Sequence, residues 1–167
     1  MKPETRNGAR LGSHNSSGTL AGSIAPPEEA AARAHERIRT LIVDDSAVCR
    51  RVAVLLLAKL PQVEMVGAAE DGVDAVALVA STRPDLVLMD LQMPRLNGLQ
   101  ATRKIRAEFP GVRVIITTFN DSRESKAASV ASGVDRFIPK ECLRDELPGA
   151  IAQLFSGRAG GAEGERP

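Results

Sequence analysis

Leu86-Val87-Leu88-Met89-Asp90-Leu91-Gln92-Met93-Pro94 is the stretch that decides the fold. Four consecutive apolar residues, bounded by Pro84-Asp85 and by Asp90, are too short for a helix and show no polar alternation. They read as a strand buried on both faces, the kind that belongs to a parallel sheet covered by helices. Met93-Pro94 marks a turn by composition, so the chain leaves the strand at an acidic residue and bends soon after.

Outward from this strand, short β-type runs alternate with helix-period segments. On the N-terminal side lie a strand over Thr40 to Val43, an amphipathic stretch from Ala47 to Leu60 ended by Pro61, a strand over Val63 to Ala68, and a helix over Val73 to Ala80. On the C-terminal side, Leu99, Ile105 and Phe109 mark a helix face closed by Pro110-Gly111, and Val112 to Ile116 is a strand. Ser122 to Ser132 is a weak, Ala/Ser-rich helix ended by Gly133, and Phe137 and Ile138 lie on the last strand. Leu147, Ile151, Leu154 and Phe155 recur at helical spacing and form the buried face of a final helix. Such alternation implies right-handed βαβ crossovers and an open, doubly wound α/β sheet.

Composition narrows the function classes. The chain has 167 residues, 22 Lys and Arg against 21 Asp and Glu, and a formal net charge of +1, so no electrostatic case exists for general nucleic-acid or membrane binding. Hydrophobic residues reach 43% but aromatics only 2%, with neither Trp nor Tyr, which leaves little for a base-stacking platform. Val52 to Ala58 is the longest apolar run and is far too short to span a bilayer. Cys49 and Cys142 stand in no CxxC, and His14 and His35 lie in a polar arm, so a disulfide framework or zinc site is not expected. Residues 1–37 are rich in Gly, Ser, Asn, Pro and Ala without apolar periodicity and read as a disordered arm; 157–167 read as a flexible tail. The folded domain is expected over 38–156, in a cytoplasmic protein.

In open α/β sheets the chemistry gathers at the carboxyl ends of the strands. Here those ends carry Asp44-Asp45, Asp90, Thr117-Thr118 and Lys140. Clustered carboxylates repel one another, and a hard divalent cation such as Mg²⁺ with oxygen ligands resolves that conflict. A metal, a cation, a hydroxyl donor and an oxygen nucleophile are the parts that stabilise a transferring phosphoryl group.

Asp44-Asp45-Ser46, Asp90 through Pro94 with Asn97-Gly98 behind it, Thr118 and Lys140 resemble the receiver domain of two-component response regulators. The resemblance runs from about Arg39 to Phe155, and four separated motifs fall in order. It implies a flavodoxin-like, five-stranded (βα)5 fold with strand order 2-1-3-4-5. It also implies that Asp90 accepts a phosphoryl group from a phosphohistidine, and that Asp45, Asp90 and the Gln92 backbone carbonyl ligate Mg²⁺ with Asp44 assisting through water. Lys140 would contact the phosphoryl group, the Thr118 hydroxyl would move toward it, and Phe137 would fill the space vacated. Spacing favours Thr118 over Thr117 for the switch role. The family usually has Lys-Pro, whereas here Pro139 precedes Lys140 and Glu141 follows; Asn97 stands where Asp is common.

Two other readings fit these residues less well. A Mg²⁺-dependent Asp-nucleophile phosphatase commonly needs an acid two positions after the nucleophile, where Gln92 stands. A receiver-like binding module that is not phosphorylated would lack the acceptor or the lysine, and both are present. The expected role is therefore a phosphoacceptor switch and not an enzyme. Its expected partners are a sensor histidine kinase or histidine phosphotransfer protein and an output protein, with a homodimer formed on phosphorylation. Neither membrane nor direct DNA binding is expected, since too few residues follow Phe155 for a helix-turn-helix module.

Overall fold

The computed structural model describes residues 37–119, 122–123, 127 and 130–157. His14, His35, all of the expected arm but Arg37, the tail beyond Gly157 and residues 124–126 and 128–129 of the helix expected over 122–132 lie outside these residues. The strands are β1 Ile38–Val43, β2 Val63–Ala69, β3 Leu86–Asp90, β4 Arg113–Thr118 and β5 Arg136–Pro139. Among the described residues the α-helices are α1 Ala47–Leu57, α2 Gly72–Thr82, α3 Gly98–Glu108 and α4 Leu143–Leu154. The five strands are all parallel and stand in the order β2-β1-β3-β4-β5. This is the doubly wound, flavodoxin-like order that the resemblance implied.

Each face of the sheet carries its own apolar cluster, because successive side chains of a strand point to opposite sides. Leu86 and Leu88 pack with Ala53 and Leu57 of α1 and with Leu147 and Ile151 of α4. Val87 and Met89 pack with Ala75 and Val79 of α2 and with Ala101 and Ile105 of α3. Every residue of β3 is buried, as its unbroken apolar run requires.

Element ends differ from the sequence expectation for local reasons. The first helix stops at Leu57, not Leu60, because Lys59 and Leu60 bond to the carbonyls three residues back and tighten the chain before Pro61. Thr117 and Thr118 do not follow β4 but end it, paired with Ile138 and Pro139. Pro139 sits on an edge strand, where a missing N–H costs the ladder little. No disulfide joins Cys49 and Cys142, and among the described residues no helix is long and apolar enough to cross a membrane.

Candidate functional site

The carboxyl edge of β1 is shaped by local bonds that free its acids from ordinary capping. Ser46 caps α1, its side chain accepting the Cys49 N–H. Asp44 turns the chain into that cap, its Oδ1 accepting the Ser46 N–H at 2.9 Å. Asp45 is left exposed at the rim, whereas Asp44 is 4% exposed. At the end of β3, Asp90 is also 4% exposed. One of its oxygens accepts the Gln92 N–H at 3.0 Å. α3 starts directly behind it, with Asn97 and Gln100 forming a reciprocal capping box.

The sheet brings together four of the residues predicted from sequence. Carboxylate oxygens of Asp44, Asp45 and Asp90 lie within 4.8 Å of one another. Lys140, on the turn that follows β5, reaches both buried acids: Nζ is 2.7 Å from Asp44 Oδ2 and 2.8 Å from Asp90 Oδ1. The unusual Pro139-Lys140-Glu141 order therefore leaves the lysine in reach, as a short 3-10 turn redirects the chain after β5.

Burial decides the electrostatics. It pushes the Asp90 carboxyl above the ordinary range, and the charge of Asp44 adds to that rise against the opposing pull of Lys140. Burial alone would lower the Lys140 pKa, but its hydrogen bonds and charge contacts with Asp44 and Asp90 outweigh it and hold the ammonium above its usual value. One ammonium thus compensates part of a three-carboxylate cluster. The remaining donors are all hard oxygens, the chemistry that suits Mg²⁺. Asp44, Asp45, Asp90 and the Gln92 carbonyl fit such an ion by donor type.

The two threonines are both buried but face different sides. Thr117 shares the face of Ile115, and its Oγ1 is 3.4 Å from the Met89 carbonyl. Thr118 shares the face of Ile116, toward the cluster against which Phe137 packs. Ile116 pairs directly with Phe137, so Thr118 and Phe137 are diagonal neighbours across two strands.

Three residues not singled out in the sequence also belong here. Arg50 donates from Nη1 to the Asp44 carbonyl at 2.7 Å and from Nη2 to Glu70 at 2.6 Å, bracing the first acidic loop against the end of β2. Phe119 is 66% exposed, and the Lys140 ammonium stands 5.0 Å from its ring centroid. Phe119 could have been noticed as the residue just past the β4 threonines; Arg50 and Glu70 carry no local signal. A cleft of about 210 Å³ opens beside the carboxylates, walled by Val48, Val52, Phe119 and Leu143.

The family described as the response regulator receiver domain matches residues 40–152. The transcriptional regulatory protein DegU of Brevibacillus brevis is 33% identical over 123 residues, covering 74% of this chain and 52% of that protein. The chain therefore spans about half the length of this curated relative. The response regulator domain of Thermotoga maritima CheB has a TM-score of 0.65 at 30% identity, covering 74% of this chain and 97% of that one. A DNA-binding response regulator of the LuxR family from Staphylococcus aureus has a TM-score of 0.66 at 26% identity, covering 70% and 98%. These relatives correct one expectation. The exclusion of direct DNA binding from the partner set is overturned, because proteins named as transcriptional and DNA-binding regulators share this segment. The charge balance and the short stretch after Phe155 describe only this segment, and they carry no information about what such a segment is joined to.

Proposed function

The chain belongs to the response regulator receiver domain family, and on that premise we propose that it is a phosphorylatable signalling switch of the cytoplasm in which Asp90 takes the phosphoryl group. The observation that carries this reading is the Asp90 carboxylate at the end of β3, bonded to Lys140 at 2.8 Å with Asp44 and Asp45 beside it. In the proposed step a carboxylate oxygen of Asp90 attacks the phosphorus of a phosphohistidine. The P–N bond breaks, its electron pair returns to the imidazole nitrogen, and Asp90 is left as an acyl phosphate. Lys140 directs N–H donors and a positive charge to that oxygen, where negative charge must be stabilised as the phosphoryl group arrives. Asp44, Asp45, Asp90 and the Gln92 carbonyl would hold a divalent cation, which would neutralise charge on the phosphoryl oxygens. The chain is consumed and regenerated as a phosphoacceptor and turns over no separate substrate. The Thr118 hydroxyl then draws toward the new group, and Phe137 moves on the same face.

Incubation of the wild-type chain with acetyl phosphate and Mg²⁺, followed by intact mass measurement, tests the reading. A gain of one phosphoryl group that EDTA prevents is expected; no gain with Mg²⁺ present would overturn it.

Two variants separate metal from phosphoryl contacts. Asp45→Ala removes a ligand and a charge, and Mg²⁺ affinity should fall at least about ten-fold in a titration followed by amide chemical shifts. Unchanged affinity would remove Asp45 from the site. Lys140→Ala frees Asp44 and Asp90 from a competing cation, so Mg²⁺ should bind no more weakly than in the wild type. Acyl phosphate formation should nevertheless slow roughly a hundred-fold, the usual effect of losing one donor to a developing charge. An unaltered rate would show that the lysine is only structural.

A further inference from the structure

The loop that leaves β3 is closed at both ends. The Leu91 N–H donates to the Thr117 carbonyl at 2.9 Å, and the Gly98 N–H returns to the Leu91 carbonyl at 3.0 Å. Its middle is held from outside by α2. The Gly72 N–H donates to the Leu96 carbonyl at 3.0 Å. Arg95 grips the same helix end: Nε lies 2.6 Å from Asp71 Oδ2, Nη2 also bonds to that oxygen, and Nη2 reaches Asp74 Oδ2 at 2.8 Å.

The anchor is fixed in its own right. The Asp71 side chain is 6% exposed. Its other oxygen accepts the Val73 and Asp74 N–H groups and so caps α2. Burial would raise the Asp71 pKa, but the Asp74 N–H and the Arg95 guanidinium prevail and hold it below the ordinary value. Arg95 also adopts φ 60°, a left-handed conformation that favours glycine. A bulky side chain in that conformation needs compensation from its contacts, and here those contacts are Asp71 and Asp74.

We infer that Arg95 is a positioning residue for metal binding: by fastening the loop to Asp71, it fixes the segment that presents the Gln92 carbonyl to a divalent cation. The inference rests on the receiver reading given above. Groups that orient a ligand without touching the ion commonly alter metal affinity strongly when removed. Asp71 is adjacent in sequence to Glu70, which Arg50 ties to the Asp44 carbonyl. The end of β2 thus braces both acidic loops through two arginines, one per loop.

Arg95→Gly tests this without added backbone strain, since glycine accepts the same φ. Mg²⁺ titration followed by amide shifts should show affinity reduced about ten-fold, and the rate of acyl phosphate formation from acetyl phosphate should return to the wild-type value at saturating Mg²⁺. Arg95→Lys should recover part of the affinity through a single-point contact with Asp71, and Asp74→Ala, which leaves the Asp71 grip intact, should bind Mg²⁺ like the wild type. Wild-type Mg²⁺ affinity in Arg95→Gly, whatever its melting temperature, would overturn the inference. If the wild-type chain takes up no phosphoryl group, the receiver reading fails, while the Mg²⁺ comparison between wild type and Arg95→Gly still reads the positioning role.

Discussion

Asp90→Asn abolishes uptake of the phosphoryl group and, in metal-free buffer at neutral pH, melts at a higher temperature than the wild type. The first effect follows from chemistry: an amide oxygen is a poor nucleophile, although it keeps the shape of the side chain and can still accept the Gln92 N–H. The second follows from the raised pKa. Burial is the main cause of that rise, with the charge of Asp44 adding to it and Lys140 opposing it. An acid whose folded-state pKa lies above its ordinary value contributes most stability when protonated, and that contribution is lost as pH rises through the folded value. At neutral pH the ionised Asp90 therefore weighs against the fold. The advantage of the variant should shrink as pH falls through the raised folded-state value and disappear below the ordinary carboxylate range, where the wild-type carboxyl is protonated in both states. Thermal melts in EDTA from neutral pH downward read this directly. A lower melting temperature for Asp90→Asn at neutral pH would show that the Lys140 contact outweighs burial.

Gly98→Ala carries the largest expected loss of stability. A Cβ added there would lie 2.2 Å from the Asp90 carbonyl oxygen and 3.2 Å from Ile116 Cδ1. The first neighbour is backbone of the central strand and cannot step aside, so α3 must lift away from β3. Overpacking of this kind costs about 3 kcal/mol, or roughly 10 °C in melting temperature for a domain of this size. Phosphoryl uptake should fall as well, because the displaced backbone belongs to the acceptor residue. Gly149, also helical, has nothing within 4 Å of an added Cβ. Gly149→Ala should gain about 0.5–1 kcal/mol from the better helix propensity alone. Equal melting temperatures for the two variants would show that α3 does not rest on Asp90 as described.

Much of this site is readable from sequence because its residues sit at strand ends, where apolar runs stop. Asp44, Asp45, Asp90 and Lys140 each follow or close such a run, and a parallel sheet must bring those ends to one edge. The strand order itself is not written in periodicity; it came from resemblance, and the register of β1 with β3 and of β3 with β4 bears it out. What escaped notice depends on partners distant in the chain. Arg50 meets Glu70, 20 residues away, and Arg95 meets Asp71, 24 residues away. Each of these side chains alone reads as an ordinary surface charge. Asn97, which stands where Asp is common, is the cap of α3, a role visible only with Gln100 three positions on. The exclusion of DNA failed for a different reason, since a neutral segment constrains only its own surface.

Peptide mapping after phosphorylation tests the central claim most directly. The wild-type chain is treated with acetyl phosphate and Mg²⁺, reduced with borohydride to convert an acyl phosphate into a stable alcohol, digested and sequenced by mass spectrometry. The reduced residue is predicted at Asp90. A modification found instead at Asp44 or Asp45, or a phosphoester on Ser46, Thr117 or Thr118 that resists reduction, would contradict the assignment of Asp90 as the acceptor.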